Sequence, residues 1–154
     1  VASKLGANVT AIDINPNAVA CCLENSELNR LNIKVVESNL WSNLPKCSYD
    51  FIVVNPPYYP KKAINLSEKA WHCGERFEYF QDFFFGLKSY MSESTTVLMV
   101  LSEDCEIDTI HKIANEHQYS LNKIKEKKIL WEINLIFKIT YVSGEKKYSD
   151  LLSK

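Results

Sequence analysis

Segments typical of strands and segments typical of helices alternate along most of the chain. Strands are predicted from apolar, β-branched runs at 8–14, 33–37, 49–54 and 95–101. Helices are predicted at 16–31 and 76–91, with a third after 101, from apolar residues spaced three and four apart. Since strands separated by helices pair in parallel, this order predicts an α/β fold with a mostly parallel sheet.

The end of the chain departs from this alternation. Two strand-like segments, at about 118–127 and 131–142, follow one another without a helix between them. Because a parallel pair needs a longer crossover connection, at least one of these strands is expected to run antiparallel. The predicted sheet therefore ends in an antiparallel hairpin.

Each predicted helix has a start signal or an apolar face. Asn15-Pro16 marks the start of the first helix, and Ser102 is expected to cap the third, with acidic residues in its first turn. The residues expected to face the core are Ala20, Leu23, Leu28 and Leu31 in the first helix, Phe77, Phe80, Phe84 and Leu87 in the second, and Ile107, Ile110, Ile113 and Ala114 in the third.

Composition excludes several classes of protein. With 154 residues, 46% of them hydrophobic and 24% charged, the chain is predicted to be ordered and to form one domain over residues 1–154. It has no signal-peptide pattern and no apolar run of about 18 residues, so no export and no membrane contact are expected. The net charge of −1 argues against a strongly basic nucleic-acid binder but leaves room for a local basic patch.

Five cysteines are scattered along the chain without a CxxC pair. An odd number of scattered cysteines is typical of reduced thiols, which predicts a cytoplasmic protein. The three histidines do not complete four ligands at short paired spacings, so no metal site is predicted.

Polar residues follow three of the predicted strands. Asp13 ends the first strand, Ser38-Asn39-Leu40 follows the second, and Asn55-Pro56-Pro57-Tyr58 follows the third. Ligands of parallel sheets bind outside the carboxyl ends of the strands, so these are the candidate site residues. A carboxylate at Asp13 can accept both hydroxyls of an adenosine ribose, and Asn39 with nearby amides can read an adenine edge. The plainer interpretations are a solvated strand end for Asp13 and a turn former for Asn39.

Two consecutive prolines make the third of these segments rigid. They fix φ and remove two backbone donors, so the Asn55 side chain and the Pro56 carbonyl form a nearly fixed pair of acceptors. The ring of Tyr58 beside them offers a stacking face. This array suits a planar NH2 group. The alternative is that the segment is only a rigid turn.

The tetrapeptide Asn55-Pro56-Pro57-Tyr58 at the end of an apolar strand resembles the signature of S-adenosylmethionine-dependent amino-methyltransferases. The segment 11–18 resembles their second strand, and 69–77 resembles a stretch of the HemK-type glutamine methyltransferases. The resemblance covers roughly residues 5–105. It implies N-methyl transfer and a Rossmann-like class I methyltransferase fold, a three-layer sandwich whose mostly parallel sheet includes an antiparallel C-terminal hairpin strand.

The resemblance also implies a cofactor site for S-adenosylmethionine. Asp13 would bind the ribose hydroxyls, Ile14 would pack on the adenine, and Asn39 with Leu40 would bind the adenine edge. The family usually has Asp where this chain has Asn39. An amide oxygen still accepts the hydrogen bond but lacks the charge, so slightly weaker cofactor binding is expected.

For catalysis, the resemblance implies that Asn55 and the Pro56 carbonyl hold the target nitrogen. Asn55 is counted among the cofactor-binding residues as well, although it is expected to contact the target nitrogen and not the adenosine. Tyr58 would stack on the substrate. No dedicated general base is expected.

The glycine-rich loop of the family has no counterpart in this sequence. The chain has only four glycines, and its opening residues, VASKLGA, resemble the end of the helix that follows that loop. Without the family's central first strand, strands 8–14 and 49–54 would leave an empty slot between them. We therefore expect that these two strands are not paired with each other and that the parent polypeptide is longer at its N terminus.

The substrate is left open between a protein glutamine, as in a release factor, and an exocyclic base amine of RNA. A small activator subunit is left open as a partner. Residues 121–154 carry eight lysines against four acids, which favours nucleic acid mildly but equally fits a solvated surface. Two other functions are a non-catalytic scaffold of the same fold and a nicotinamide-dependent oxidoreductase, which Asp13 would also suit and which the tetrapeptide disfavours.

Overall fold

The computed structural model describes residues 1–143 as two compact units, Val1–Lys46 and a second that begins at Cys47. The first unit contains β1 (Val9–Asp13), α1 (Pro16–Leu28) and β2 (Ile33–Glu37), preceded by a short 3₁₀ helix (Ser3–Leu5). The second contains β3 (Phe51–Val54), α2 (Glu78–Leu87), β4 (Thr96–Ser102), α3 (Ile107–Glu116), β5 (Tyr119–Ile129) and β6 (Glu132–Tyr141), with 3₁₀ helices at Glu68–Ala70 and Lys88–Tyr90. The predicted order of strands and helices is confirmed. The single domain over 1–154 stays a prediction.

In the first unit, β1 and β2 form a two-stranded parallel sheet that runs in register from Val9 opposite Ile33 to Asp13 opposite Glu37. The connecting helix α1 begins as predicted, because the Asn15 side chain accepts a hydrogen bond of 3.0 Å from the amide of Asn17. Both strands therefore end at the same edge.

The predicted core face of α1 is wrong. Leu23 and Leu28 are 44% and 75% exposed, whereas Val19, Cys22 and Ser26 form the less exposed face. The reason is that the packing face carries small side chains and a valine but no leucine, so the spacing of the leucines indicated the wrong side of the helix. Within residues 1–46 the only fully buried side chains are two serines, Ser26 and Ser38.

The second unit has a four-stranded sheet of order β3-β4-β6-β5. β3 pairs with β4 in parallel, and β6 runs antiparallel to both β4 and β5. This confirms the predicted antiparallel hairpin at the end of the sheet.

The core of the second unit is apolar and aromatic. The faces predicted for α2 and α3 are largely confirmed. The residues that are buried as predicted are Phe77, Phe80, Phe84, Leu87, Ile110, Ile113 and Ala114, whereas Ile107 at the start of α3 is only half-buried. They share the core with Val97, Met99 and Leu101 of β4 and with Phe137 and Ile139 of β6. Ring contacts such as Phe84 on Tyr119, at 5.6 Å between centroids, tie α2 to the hairpin.

The predicted start of α3 is wrong. Ser102 is the last residue of β4, and the helix begins five residues later at Ile107. The hairpin explains the difference, because the amide of Glu103 donates to the carbonyl of Ile133 at 2.9 Å and so prolongs the pairing of β4 with β6. The Ser102 hydroxyl instead accepts from the amide of Asp104 at 3.3 Å, within the turn.

Strands β1 and β3 belong to different sheets, which confirms the expectation that they do not pair with each other. The missing strand inferred from the sequence stays a prediction. All five cysteines are free thiols. Over residues 1–143, every helix is too short or too polar to cross a membrane.

Candidate functional site

In the first unit, the structure brings Asp13 next to the turn that follows β2. The amide of Ser38 donates to the carbonyl of Asp13 at 2.8 Å, so the ends of the two strands are tied together. Asp13, Ile14, Asn39 and Leu40 therefore lie at one edge of the β1–β2 sheet, as the sequence predicted for a ligand site.

The carboxylate of Asp13 is exposed, and only one of its two oxygens accepts a hydrogen bond from a described residue. Its Oδ1 accepts from the amide of Asn15 at 2.8 Å, which fixes the side chain. Its Oδ2 makes no hydrogen bond to any residue of the described range. A fixed carboxylate with a free oxygen can accept hydrogen bonds from a vicinal diol.

Ser38, to which the sequence analysis assigned no role of its own, organises this turn. Its hydroxyl is buried, donates to the Leu40 carbonyl at 2.7 Å and accepts from the Asn43 amide at 3.0 Å. Leu40 has a left-handed φ of +48°. The turn leaves the Asn39 side chain exposed. A serine directly after a strand is the signal for such a turn, because its hydroxyl bonds to nearby backbone.

In the second unit, Asn55-Pro56-Pro57-Tyr58 follows β3 directly. Asn55 is exposed, and its side chain makes no hydrogen bond within residues 1–143. Pro56 is buried and Tyr58 is half-buried. The amide oxygen of Asn55 is thus available to a ligand while the prolines hold the backbone that carries it.

Tyr58 lies against Tyr59, with 4.9 Å between ring centroids and a tilt of 58°. Burial, followed by the neighbouring Tyr59, raises the pKa of the Tyr58 phenol from 10.0 to about 12, and Glu132 and Cys105 add to the effect. The phenol is therefore neutral at physiological pH and can only act as a ring or a hydrogen-bonding hydroxyl.

The segment after the tetrapeptide folds back to support it. The amide of Tyr59 donates to the Trp71 carbonyl at 3.0 Å, and the Tyr59 carbonyl accepts from the Cys73 amide at 2.9 Å. The buried Cys73 thiol adds a contact of 3.3 Å to the same carbonyl. His72 Nδ1 lies 3.5 Å from a Glu68 carboxylate oxygen. These contacts fix the backbone immediately after Tyr58.

No group of three or more His, Cys, Asp or Glu side chains that could hold a metal ion occurs in the described part of the chain. What the two edges offer is a carboxylate with a turn in the first unit, and an amide oxygen, a proline carbonyl and an aromatic ring in the second.

The fold is that of the S-adenosylmethionine-dependent methyltransferases, a Rossmann-like α/β fold. One solved structure of this class is a methyltransferase from Bacteroides fragilis in complex with S-adenosyl-L-homocysteine. It superposes with a TM-score of 0.61 at 18% sequence identity, over 91% of this chain and 65% of that one.

Residues 1–72 match the model of the methyltransferase small domain family. A protein from Methanocaldococcus jannaschii, provisionally named a protein N5-glutamine methyltransferase, is 32% identical over 118 residues. That match covers 73% of this chain and 59% of the relative. The release factor glutamine methyltransferase of Fusobacterium nucleatum is 47% identical over 64 residues, which is 40% of this chain and 18% of that protein. The chain thus spans less than two thirds of the length of either relative.

Proposed function

We propose that the chain is part of an N-methyltransferase that uses S-adenosylmethionine and acts on a planar nitrogen. The observation that carries this proposal is the exposed, unengaged Asn55 amide on a double-proline backbone beside the ring of Tyr58. The family match of residues 1–72 and the methyltransferase fold support it.

The first unit would hold the adenosine part of the cofactor. The free oxygen of Asp13 suits the ribose hydroxyls, and the exposed Asn39 amide with the backbone of Leu40 suits the adenine edge. Ile14 is half-buried next to Asp13 and can pack on the purine ring. When bound, S-adenosylmethionine supplies a methyl group on a positively charged sulfur.

The second unit would hold the nitrogen that receives the methyl group. The lone pair of an amide or aryl amine is delocalised, which makes it a poor nucleophile. The Asn55 oxygen and the Pro56 carbonyl would accept its two N–H bonds, and these bonds strengthen as positive charge develops on nitrogen. They therefore favour the transition state over the ground state. Positioning supplies the rest of the effect, and no general base is invoked.

The second part of the proposal concerns which molecule carries the methylated nitrogen. The names of the two relatives support a protein glutamine amide, such as that of a release factor. An exocyclic amine of an RNA base presents the same planar NH2 and would fit the same acceptors. A small activator subunit remains a proposal about partners.

Asn55→Ala tests the proposal directly. In the complete polypeptide we expect turnover to fall by roughly 10²-fold or more, because one transition-state hydrogen-bond acceptor is lost. The affinity for S-adenosylmethionine should hardly change. The measurements are calorimetric titration with the cofactor and transfer of labelled methyl to ribosomal RNA and to peptides that carry a Gly-Gly-Gln turn.

Asn32→Ala is the matched control, since Asn32 is an exposed asparagine outside both candidate edges. It should leave turnover and cofactor affinity unchanged. Full turnover in Asn55→Ala would show that the tetrapeptide is only a rigid turn. Absence of cofactor binding in the unmodified protein would support the non-catalytic scaffold instead.

A further inference from the structure

The hairpin of β5 and β6 extends past the end of its neighbour β4. The pairing of β4 with β6 ends at Ser102 opposite Asn134. The pairing of β5 with β6 continues to Ile129 opposite Glu132. Residues 125–133, here called the hairpin arm, therefore project beyond the carboxyl end of β4.

The base of the hairpin arm lies at the same edge of the sheet as the tetrapeptide. The Ile133 amide and carbonyl both bond to Glu103 after β4, at 3.3 and 2.9 Å. Because β3 pairs with β4 in parallel, the tetrapeptide that follows β3 leaves the sheet at this carboxyl end as well. The arm and the ring of Tyr58 thus belong to the same edge of the second unit.

The arm exposes lysines and a large aromatic side chain together. Lys125, Lys127 and Lys128 are exposed and form no ion pair with any described residue. The nearest carboxylate on β5, Glu126, is already paired with Lys123 at 2.9 Å. At the tip, Trp131 is 91% exposed. Of the lysines counted in 121–154, those at 146, 147 and 154 lie outside the described residues.

Neither turn chemistry nor packing explains the residues at the tip. The two-residue turn is Leu130-Trp131, and Leu130 takes a left-handed φ of +56° while being 81% exposed. Such turns favour Gly, Asn or Asp, because a branched side chain is strained there. The turn therefore presents two apolar side chains to solvent at a conformational cost.

We propose that the hairpin arm is an RNA-binding surface that holds single-stranded RNA beside Tyr58. Lys125, Lys127 and Lys128 would neutralise successive phosphates, and the indole of Trp131 would stack on a base. The arm carries three lysines against two glutamates, and one of these, Glu126, is paired with Lys123 outside the arm, so the arm keeps a positive charge that is complementary to a polyanion. This inference goes beyond methyl transfer and does not depend on it.

The mixture of side chains distinguishes RNA from a protein partner. Lysine is depleted at the centre of protein–protein interfaces, where its desolvation is unfavourable. In single-strand RNA binding, lysines that follow the backbone are combined with aromatic rings that accept any base. Alternation along β5 places Lys125 and Lys127 on one face of the arm, where they can contact successive phosphates, and Lys128 on the other face of this edge strand.

The test uses the complete polypeptide and a short, fluorescein-labelled, single-stranded RNA of mixed sequence. Binding is followed by fluorescence anisotropy over a range of salt concentrations, without cofactor. The triple variant Lys125→Gln, Lys127→Gln, Lys128→Gln should reduce the slope of log affinity against log salt by about 2, since each phosphate contact contributes about 0.7. Trp131→Ala should weaken binding about 5-fold or more without changing that slope.

The matched control is Lys34→Gln, Lys46→Gln, Lys112→Gln, which removes three exposed lysines outside the arm. It should retain the slope of the unmodified protein. Equal slopes for both triple variants would overturn the proposal. The proposal would also be overturned if the arm variants bound RNA normally but lost binding to a protein that bears a Gly-Gly-Gln turn. That result would make the arm a protein-docking surface. Binding is measured without cofactor and therefore without methyl transfer, so failure of the proposed catalysis and failure of the arm are separable.

Discussion

Asp13 uses only one of its two carboxylate oxygens in a hydrogen bond within the described residues. Oδ1 is held by the Asn15 amide, and this bond orients the oxygen that remains free. In the complete polypeptide we expect Asp13→Ala to weaken S-adenosylmethionine binding by about 2 kcal/mol, the scale of a charged hydrogen bond lost with its partner left unpaired. Calorimetric titration measures the change.

Asp50→Ala is the control for Asp13→Ala, since Asp50 is an exposed aspartate that precedes β3 rather than following a strand. Its removal should leave cofactor affinity unchanged. If Asp13→Ala binds as well as this control, Asp13 is a solvated strand end and nothing more.

Tyr58 is predicted to act through its ring and not through its charge. Tyr58→Phe should have a mild effect on turnover, whereas Tyr58→Ala should weaken substrate binding by ~1–3 kcal/mol if the target is a base. Because the pKa of Tyr58 is raised to about 12, its phenol should stay protonated through the assay range. An alkaline absorbance titration of the unmodified protein against Tyr58→Phe isolates its ionisation.

The raised pKa of Tyr58 also fixes the sign of its effect on stability. The unfolded phenol loses its proton near the ordinary tyrosine pKa of 10.0, while the folded one keeps it until its pKa of about 12. The contribution is complete below pH 10 and is lost as the pH rises towards 12. A Tyr58 ionisation near the ordinary value would contradict the burial that the structure gives this side chain.

At the scale of elements, the start of α2 depends on one glycine. Gly74 has a φ of +92°, and a Cβ at this position would collide with the carboxylate of Glu78 in the first turn of the helix. That carboxylate also accepts from the Arg76 amide at 3.0 Å. Gly74→Ala should therefore lower the free energy of unfolding, measured in urea, by more than the ~1–2 kcal/mol of left-handed strain.

Gly6→Ala separates the two causes. Gly6 has nearly the same φ, +91°, but nothing lies within 4 Å of the position of an added Cβ. It should show the backbone strain alone. Adding Glu78→Ala to Gly74→Ala removes the clashing carboxylate. The additional loss of unfolding free energy in Gly74→Ala, compared with Gly6→Ala, should then disappear. Equal losses in the two glycine variants would mean that the Glu78 side chain moves aside without cost.

The elements also show what the sequence could predict and where it failed. The faces of α2 and α3 were predictable because most of their apolar residues lie on one side, although Phe85 of α2 is exposed. The face of α1 was not, since its packing side carries no leucine. The start of α3 was not, because pairing of Glu103 with Ile133 is a long-range contact. The positions of the candidate residues at the strand ends were predictable from topology. The buried hydroxyl of Ser38 was not, because its partners depend on the fold of the turn.

For the whole molecule, the two units differ in what they bury. The second has a core of aromatic and aliphatic side chains, while residues 1–46 bury no apolar side chain fully. A unit of this size without a core is not expected to be stable alone. We therefore propose, as the sequence suggested, that the chain unfolds as one domain.

Two probes test cooperative unfolding in urea. Trp41 reports on the first unit when Trp71 and Trp131 are replaced by Phe, and far-ultraviolet circular dichroism is dominated by the second. The two transitions should coincide. Phe84→Ala, which truncates a fully buried ring of the second unit, should cost about 3–5 kcal/mol and shift both transitions together. If Phe84→Ala does not shift the urea midpoint of the Trp41 transition, the units fold independently.

The scarcity of buried apolar side chains in residues 1–46 has a consequence for sequence drift. Where little is packed, most replacements are tolerated, and selection acts mainly on groups that contact a ligand or hold a turn. In a saturation mutagenesis screen for activity, intolerance in this unit should concentrate at Asp13 and in the Ser38–Leu40 turn. In the second unit it should spread over the whole core. A map of tolerated substitutions would thus outline the ligand edge of the first unit without any ligand being present.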